Sequence, residues 1–194
     1  ATSNTLNIGI NRITHGSKLK ITTFYAKLEN EIYYNASTFT NTNIDRSHKY
    51  GLELQAEKKI SRTSARINYG YTKAIIDSEN DGGGSFDGKN LPGVSEHNLS
   101  LGIKYMFTDQ FSCNLNHIYR SEAYAANDFA NNLAQKQPAY NSTNIYARYK
   151  LSNTNFYAGI DNVFDKANGI QVRDDAIYPV NHTRTWKIGF STQL

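Results

Sequence analysis

Five histidines, one cysteine and one short acidic run are the residues whose chemistry has to be weighed first. His15, His48, His97, His117 and His182 lie far apart, with no pair at i, i+4 and no H-x-x-x-H. They therefore make no zinc site of the hydrolase type. Cys113 has no second cysteine to bridge to and no metal-ligand spacing around it. No Ser sits in G-x-S-x-G, and no Gly-rich loop opens a helix to cradle phosphate. The run Asp77-Ser78-Glu79-Asn80-Asp81-Gly82 follows the opening of a calcium loop, in which alternate oxygen ligands precede a glycine that allows the sharp turn. Gly88 stands where the closing bidentate Glu belongs, and Glu79 replaces the usual Asp or Asn. Asp77, Glu79 and Asp81 are thus candidates for weak calcium binding, set against a plain solvated loop tip. Neither enzymatic chemistry nor a cofactor is expected.

The segments that would carry these residues read as strands. In the last stretch Trp186, Ile188, Phe190, Thr192 and Leu194 fall on one face, and Lys187, Gly189, Ser191 and Gln193 on the other. A period of two is that of a strand. The same alternation recurs. Leu6, Ile8 and Ile10 form a short, weaker first strand. In residues 18–34, Phe24, Ala26, Leu28, Ile32 and Tyr34 are read as one face, with a polar interruption at Asn30. Tyr50, Leu52, Leu54 and Ala56 oppose Gly51, Glu53, Gln55 and Glu57. Further strands carry Ala65–Tyr71, Leu99–Phe107, Phe111–Leu115, Ile145–Leu151 and Phe156–Ile160. That makes eight strong strands and one weaker one, all-β and antiparallel, with no helical period.

The connections alternate between short (near 14–17, 61–64, 108–110 and 152–154) and long (about 35–47, 75–96, 121–139 and 163–181). Tight turns at one end and long Gly/Asn/Asp/Ser loops at the other are the asymmetry of an outer-membrane barrel. The composition agrees. Tyr alone contributes 14 residues, against 9 Phe and 1 Trp, and Tyr suits a surface that is apolar on one side and wet on the other. No apolar run is long enough for a transmembrane helix, and a negative mean hydropathy fits strands that are only half apolar. The polar face keeps charges in mid-strand (Glu53, Arg66, Lys104, Arg148), as a wet or plugged lumen requires. A formal charge of +4 with scattered Lys and Arg argues against nucleic acid. A soluble β-sandwich is the competing fold. Strands of 10 to 13 residues favour the membrane, because sandwich strands average about 5–6.

Five segments, in order, resemble the C-terminal part of a TonB-dependent outer-membrane receptor. They are Ile21-Thr22-Thr23-Phe24-Tyr25 running to Glu31-Ile32-Tyr33-Tyr34, then Tyr50-Gly51-Leu52-Glu53-Leu54, then Leu91-Pro92-Gly93-Val94-Ser95-Glu96-His97-Asn98-Leu99. Asp161-Asn162-Val163-Phe164-Asp165-Lys166 is the most specific, and Tyr178-Pro179 through Arg184 to Leu194 is the last. Ser95 stands where the family usually has Pro, Thr183 where it has Gly, and Leu194 where it ends in Phe. The resemblance implies that residues 1–194 supply roughly the last eight or nine strands of a barrel of about 22, without the plug domain. It also implies short periplasmic turns, long extracellular loops and a place in the bacterial outer membrane. The cargo would be a ferric siderophore or a similar scarce nutrient. The partners would be the remaining barrel and plug, outer-membrane lipid, and the TonB complex acting through segments that are missing here. Asn162 to Lys166 is read as architecture, with Asn and Asp making side-chain-to-backbone turn bonds and Phe164 packing as the chain bends.

Ligand contact is expected from long-loop tips and the lumen-facing residues near them. Aromatics would embrace a chelate and cations would meet its negative charge. The candidates are Phe86, Asp87 and Lys89 in one loop, Tyr124, Asp128 and Phe129 in the next, and Arg173, Asp174, Asp175 and Tyr178 in the last. A self-standing eight-stranded outer-membrane barrel, adhesive or structural, remains an alternative to the receptor.

Overall fold

A computed structural model describes residues 1–35, 40–79, 85–173, 176–179 and 183–193. The described chain is all-β. The strands are β1 (Thr2–Thr14), β2 (Ser17–Asn35), β3 (Thr40–Ile60), β4 (Thr63–Ser78), β5 (His97–Met106), β6 (Phe111–Arg120), β7 (Tyr140–Leu151), β8 (Thr154–Asp161), β9 (Gly169–Arg173), β10 (Ala176–Pro179) and β11 (Thr185–Thr192). Nine of them form one antiparallel sheet in the order β1-β2-β3-β4-β5-β6-β7-β8-β11, and β9 and β10 make a separate hairpin. Each strand of the large sheet pairs with its neighbour in sequence, save that β11 joins β8 past the small hairpin. Among the described residues β1 pairs only with β2 and β11 only with β8, so the sheet is open. An eight-stranded closed barrel is therefore not what this chain forms.

Register carries the alternation across the sheet. Ile10, Ile21, Leu54, Tyr69, Leu99, Tyr119 and Asn141 succeed one another as direct partners from β1 to β7. A lower row runs Leu101, His117, Thr143, and the next Ile103, Leu115, Ile145, Ile160, Trp186. Among the described residues no second sheet or helix covers this face: Ile188 is 89% and Trp186 73% exposed. A sandwich would bury it, so the sandwich alternative is excluded.

Aromatic rings border the aliphatic band at both ends. Towards the short turns lie Tyr105, Phe107 and Phe111, with centroids 4.7 Å (Tyr105–Phe107) and 5.3 Å (Phe107–Phe111) apart, followed by Tyr149, Phe156 and Phe190. Towards the long loops Tyr25 and Tyr50 flank His48, with centroids 5.8 and 6.0 Å away, and His97 contacts Tyr69 and Tyr71. From Thr63, level with Tyr105, to Tyr71 the chain rises about 26 Å at roughly 3.3 Å per residue. With strands tilted by about 35–45°, that is a height of roughly 19–22 Å, of the order of the apolar band of about 25 Å between aromatic girdles.

Four expectations need correction. The segment 35–47 is mostly strand, because β2 and β3 stay paired out to Asn35 and Thr40. The span 163–181 holds the β9–β10 hairpin. Strand lengths run from 4 to 21 residues, wider than 10 to 13. Finally, Phe24, Ala26 and Leu28 do not share a face with Ile32 and Tyr34. Leu28 pairs with Ser47, whose hydroxyl donates to Glu31 Oε2 at 2.5 Å, so residues three apart point the same way. The switch comes at Asn30, whose φ of 55° is one that Asn tolerates better than most residues. Below it Phe24 lies inside and Tyr25 outside; above it Ile32, 70% exposed, is outside. Phe24 fits the inner face because its direct partner is Gly51. A Cβ there would meet the Phe24 ring at 2.8 Å and collide with the Tyr71 carbonyl oxygen.

The short connections use one left-handed residue each at Gly16 (φ 72°), Ser61 (φ 51°) and Ser152 (φ 51°). The fourth, Phe107–Gln110, closes when Thr108 Oγ1 accepts from the Phe111 amide at 2.9 Å.

Candidate ligand-binding loops

The wall delivers two long connections, 79–96 and 121–139, to the same end of the sheet. They do not stand free. Residues 89–96 run along the upper part of β4: Ile76 donates to Lys89, Leu91 to Ala74, and Thr72 to Glu96, at 2.9 to 3.0 Å. The second connection folds back on the wall. Phe129 packs with Ile44 and Ile76 in a small core that Tyr33, Phe86 and Leu91 complete. The Tyr33 and Phe129 centroids are 4.2 Å apart, and those of Phe86 and Phe129 5.7 Å. Two expected ligand aromatics, Phe86 and Phe129, are therefore brought together as packing.

Asp128 is likewise inward, at 2% exposure; its carboxylate accepts from the Asn132 amide at 2.9 Å and the Leu133 amide at 3.3 Å. Asp87 accepts from the Glu79 amide at 2.9 Å. Lys89 is exposed. Tyr124 lies on a cleft of about 320 Å³ between the two connections, together with Lys73, Asn90, Glu96, Glu122 and Lys136. Lys136 Nζ sits 5.0 Å from the Tyr124 ring centre and 2.8 Å from Glu122. The hydrogen bond that Lys136 donates to the Glu122 carboxylate holds its ammonium charged above the ordinary lysine range. Lys73 is bonded to Glu96 on one side of the cleft, and its position opposite Tyr50 puts it on the outward face of β4. The cleft thus offers the Tyr124 ring with the Lys136–Glu122 pair beside it. Such a surface can take a ligand carrying both apolar and charged parts.

For the calcium candidates, Asp77 Oδ1 is 2.6 Å from His48 Nδ1 and Glu79 is fully buried, while Asp81 lies outside the described residues. Among the described residues no three His, Cys, Asp or Glu side chains gather to hold a metal. Arg173 and Tyr178 fall in β9 and β10, whose backbones pair. Asp174 and Asp175 lie outside the described residues.

Three asparagines hold the loop end together; the sequence pointed to Asn162 and not to Asn131 or Asn168. Asn131 Oδ1 accepts from the Asn90 amide at 2.7 Å while its Nδ2 donates to the Asn90 and Asp128 carbonyls, both at 3.0 Å. Asn168 repeats the device on Asn141, accepting at 3.1 Å and donating at 3.0 Å. Asn162 does so on Lys166, both at 3.0 Å. A side-chain amide has the donor and acceptor of a peptide group, so each forms a local substitute for strand pairing. Asn131 and Asn162 also adopt φ of 57° and 50°. The signal was present in the abundance of Asn, but not in its spacing.

The Asn162–Lys166 segment proves architectural. Beyond the Asn162 clamp, Val163 donates to Thr143 at 2.8 Å, and Asp165 accepts from the Arg184 amide at 2.7 Å, fixing the start of β11. Phe164 does not pack as expected: it is 74% exposed, because the turn directs it away from the chain.

With this geometry in place, the comparisons decide the family. The model of the TonB dependent receptor-like β-barrel matches residues 1–163. This chain belongs to that family. The family comprises transporters, not enzymes, and the sheet described above is a portion of its barrel. No curated protein sequence matches the chain. Among solved structures it is similar to the ferric-catecholate import receptor Fiu from E. coli K12, with 22% identity and a TM-score of 0.75, covering 97% of this chain and 27% of that one. The ferric citrate transporter FecA gives 20% identity and a TM-score of 0.79, covering 97% and 30%. The ferric yersiniabactin uptake receptor FyuA from Yersinia pestis gives 19% and 0.79, covering 97% and 29%. At such identities the likeness concerns the fold. The chain spans less than a third of the length of each of these receptors.

Proposed function

We propose that this chain forms part of the wall and the ligand-facing loops of an outer-membrane receptor that imports an iron chelate or a similarly scarce nutrient. The observation that carries the reading is the two-faced sheet. One face is bare, apolar and bordered by aromatic rings; the other is polar and charged; and the long loops gather over one end. Lipid would meet the first face and cargo the loops. The open edges of β1 and β11 would pair with strands of the same barrel, since an unpaired edge is not tolerated in hydrocarbon. A plug in the lumen and an inner-membrane energising complex would act through other segments of the receptor.

The cargo-facing surface is the part of the cleft holding Glu122, Tyr124 and Lys136, with exposed Lys89 beside it. Arg173, Asp174, Asp175 and Tyr178, in the last connection, are further candidates for cargo contact. Ferric citrate and a ferric catecholate, radiolabelled, serve as probes in cells whose uptake depends on the full-length receptor. Tyr124→Ala with Lys136→Ala should lower uptake of the accepted chelate at least about tenfold at unchanged receptor abundance. Uptake that survives intact in this double variant removes the cleft from the pathway. A receptor that concentrates neither probe, nor any other iron chelate, overturns the import reading.

A further inference from the structure

We propose that Asn131 is a positioning residue that locks residues 85–96 of the first connection and the 121–139 connection into one unit, so that neither side of the cleft moves without the other. The proposal rests on the cleft being the cargo site, but its test needs no cargo.

The two connections come from different hairpins, and nothing in chain continuity holds them together. Their joint is small. Asn131 bonds both the amide and the carbonyl of Asn90, and its third bond, to the Asp128 carbonyl, ties it back into its own loop. Besides this, the Gly93 amide donates to the Tyr124 carbonyl at 3.0 Å, and the Phe86 ring meets Phe129. Asn90 sits at a strategic point, because its neighbours Lys89 and Leu91 are the residues bonded to β4. A pull on Asn131 is therefore delivered to the backbone that lines the cleft. The left-handed φ of 57° sets the amide at the angle the joint needs, and any replacement with a Cβ other than Asn or Asp would be strained there.

That strain dictates the variant. Asn131→Gly keeps the backbone conformation and removes only the amide. Spin labels at Lys89→Cys and Ala134→Cys, both exposed positions on the two loops, report their separation in the full-length receptor with Cys113→Ser as background. The expected result is a single narrow distance distribution when Asn131 is present and a broad one in Asn131→Gly. Hydrogen exchange should quicken at least about tenfold at Leu91 and Ile76, whose amides do not touch Asn131, while Leu101 and Leu115 in the wall stay protected. Asn131→Asp, which keeps the acceptor for the Asn90 amide and loses both donated bonds, should fall between. Asn168→Ala, which cuts the equivalent device on another loop, should leave the distribution narrow. If Asn131→Gly keeps the distribution narrow and quickens only Asn90, the residue serves its own turn and the proposal fails. Loss of chelate uptake in an otherwise rigid loop pair would instead count against the cleft as cargo site.

Discussion

The wall and the long-loop end of this molecule are held by different physics. In the wall the backbone ladder satisfies almost everything, and large apolar side chains point outward into space. Ile8, Ile10, Trp186, Ile188 and Phe190 are all more than half exposed. At the loop end the ladder has stopped, and the chain relies on a handful of buried rings and on side chains that imitate peptide groups. Ile44, Ile76 and Phe129 make the buried cluster there, and Asn131, Asn162 and Asn168 make the bonds. The lesson is that a membrane wall needs only a period, whereas a loop that must hold a shape needs particular residues. The wall should therefore be sensitive to what a substitution is, and the loops to which residue is lost.

The sharpest break is a charge on the outward apolar face. Leu101 sits on the central strand β5 opposite Ile67, midway between the two aromatic girdles, so Leu101→Arg should destabilise the receptor in bilayers by about 2–4 kcal/mol. Ser100→Arg, on the opposite face of the same strand, should cost under about 0.5 kcal/mol. Equal shifts in urea midpoint for both would mean that the two faces meet the same medium. Next comes close packing on the inner face. Gly51→Leu forces a side chain against the Phe24 ring and the Tyr71 carbonyl and should cost about 1–3 kcal/mol. Gly70→Ala, with open space around it, should be nearly neutral in the same measurement.

The same division governs what could be read in advance. Nine strands, their order and the outward face followed from a period of two, because the alternation of apolar and polar residues applies one rule to every step. The exception was β2, where one Asn in a left-handed conformation exchanged the faces. Periodicity counted through Asn30 joined Phe24 to Ile32, although a purely polar interruption would have left them together. The loop site was legible only as a location. Phe86 and Phe129 carried the composition of a ligand contact but spend it on each other, and Asp128 on loop amides. Lys136 and Glu122 were invisible, since their partnership depends on how residues 121–139 fold back. The Asn162 device was readable because it is local, spanning four residues, whereas the Asn131–Asn90 joint spans 41.

Smaller effects test the loop end on its own terms. Asn162→Ala removes two bonds at 3.0 Å and leaves Ala at a φ of 50°, which together should cost about 1–2 kcal/mol. Asn162→Gly, which relieves the backbone and still lacks the bonds, should recover part of that loss in the unfolding midpoint. Full recovery would assign the residue to conformation alone.

The least effect is expected at the Lys136–Glu122 pair, and its sign is fixed. The raised Lys136 value means that the folded state holds this proton more tightly than the unfolded one. Whatever stability the pair contributes is present through the neutral range and is lost only as pH rises beyond that of an ordinary lysine. Because both side chains are well exposed, Lys136→Met should leave the unfolding midpoint unchanged at neutral pH. The same change should weaken chelate binding in the cleft, where the ammonium faces the Tyr124 ring. A shifted midpoint with binding intact would move Lys136 from the cargo surface to the fold, and make this part of the loop end behave like the wall.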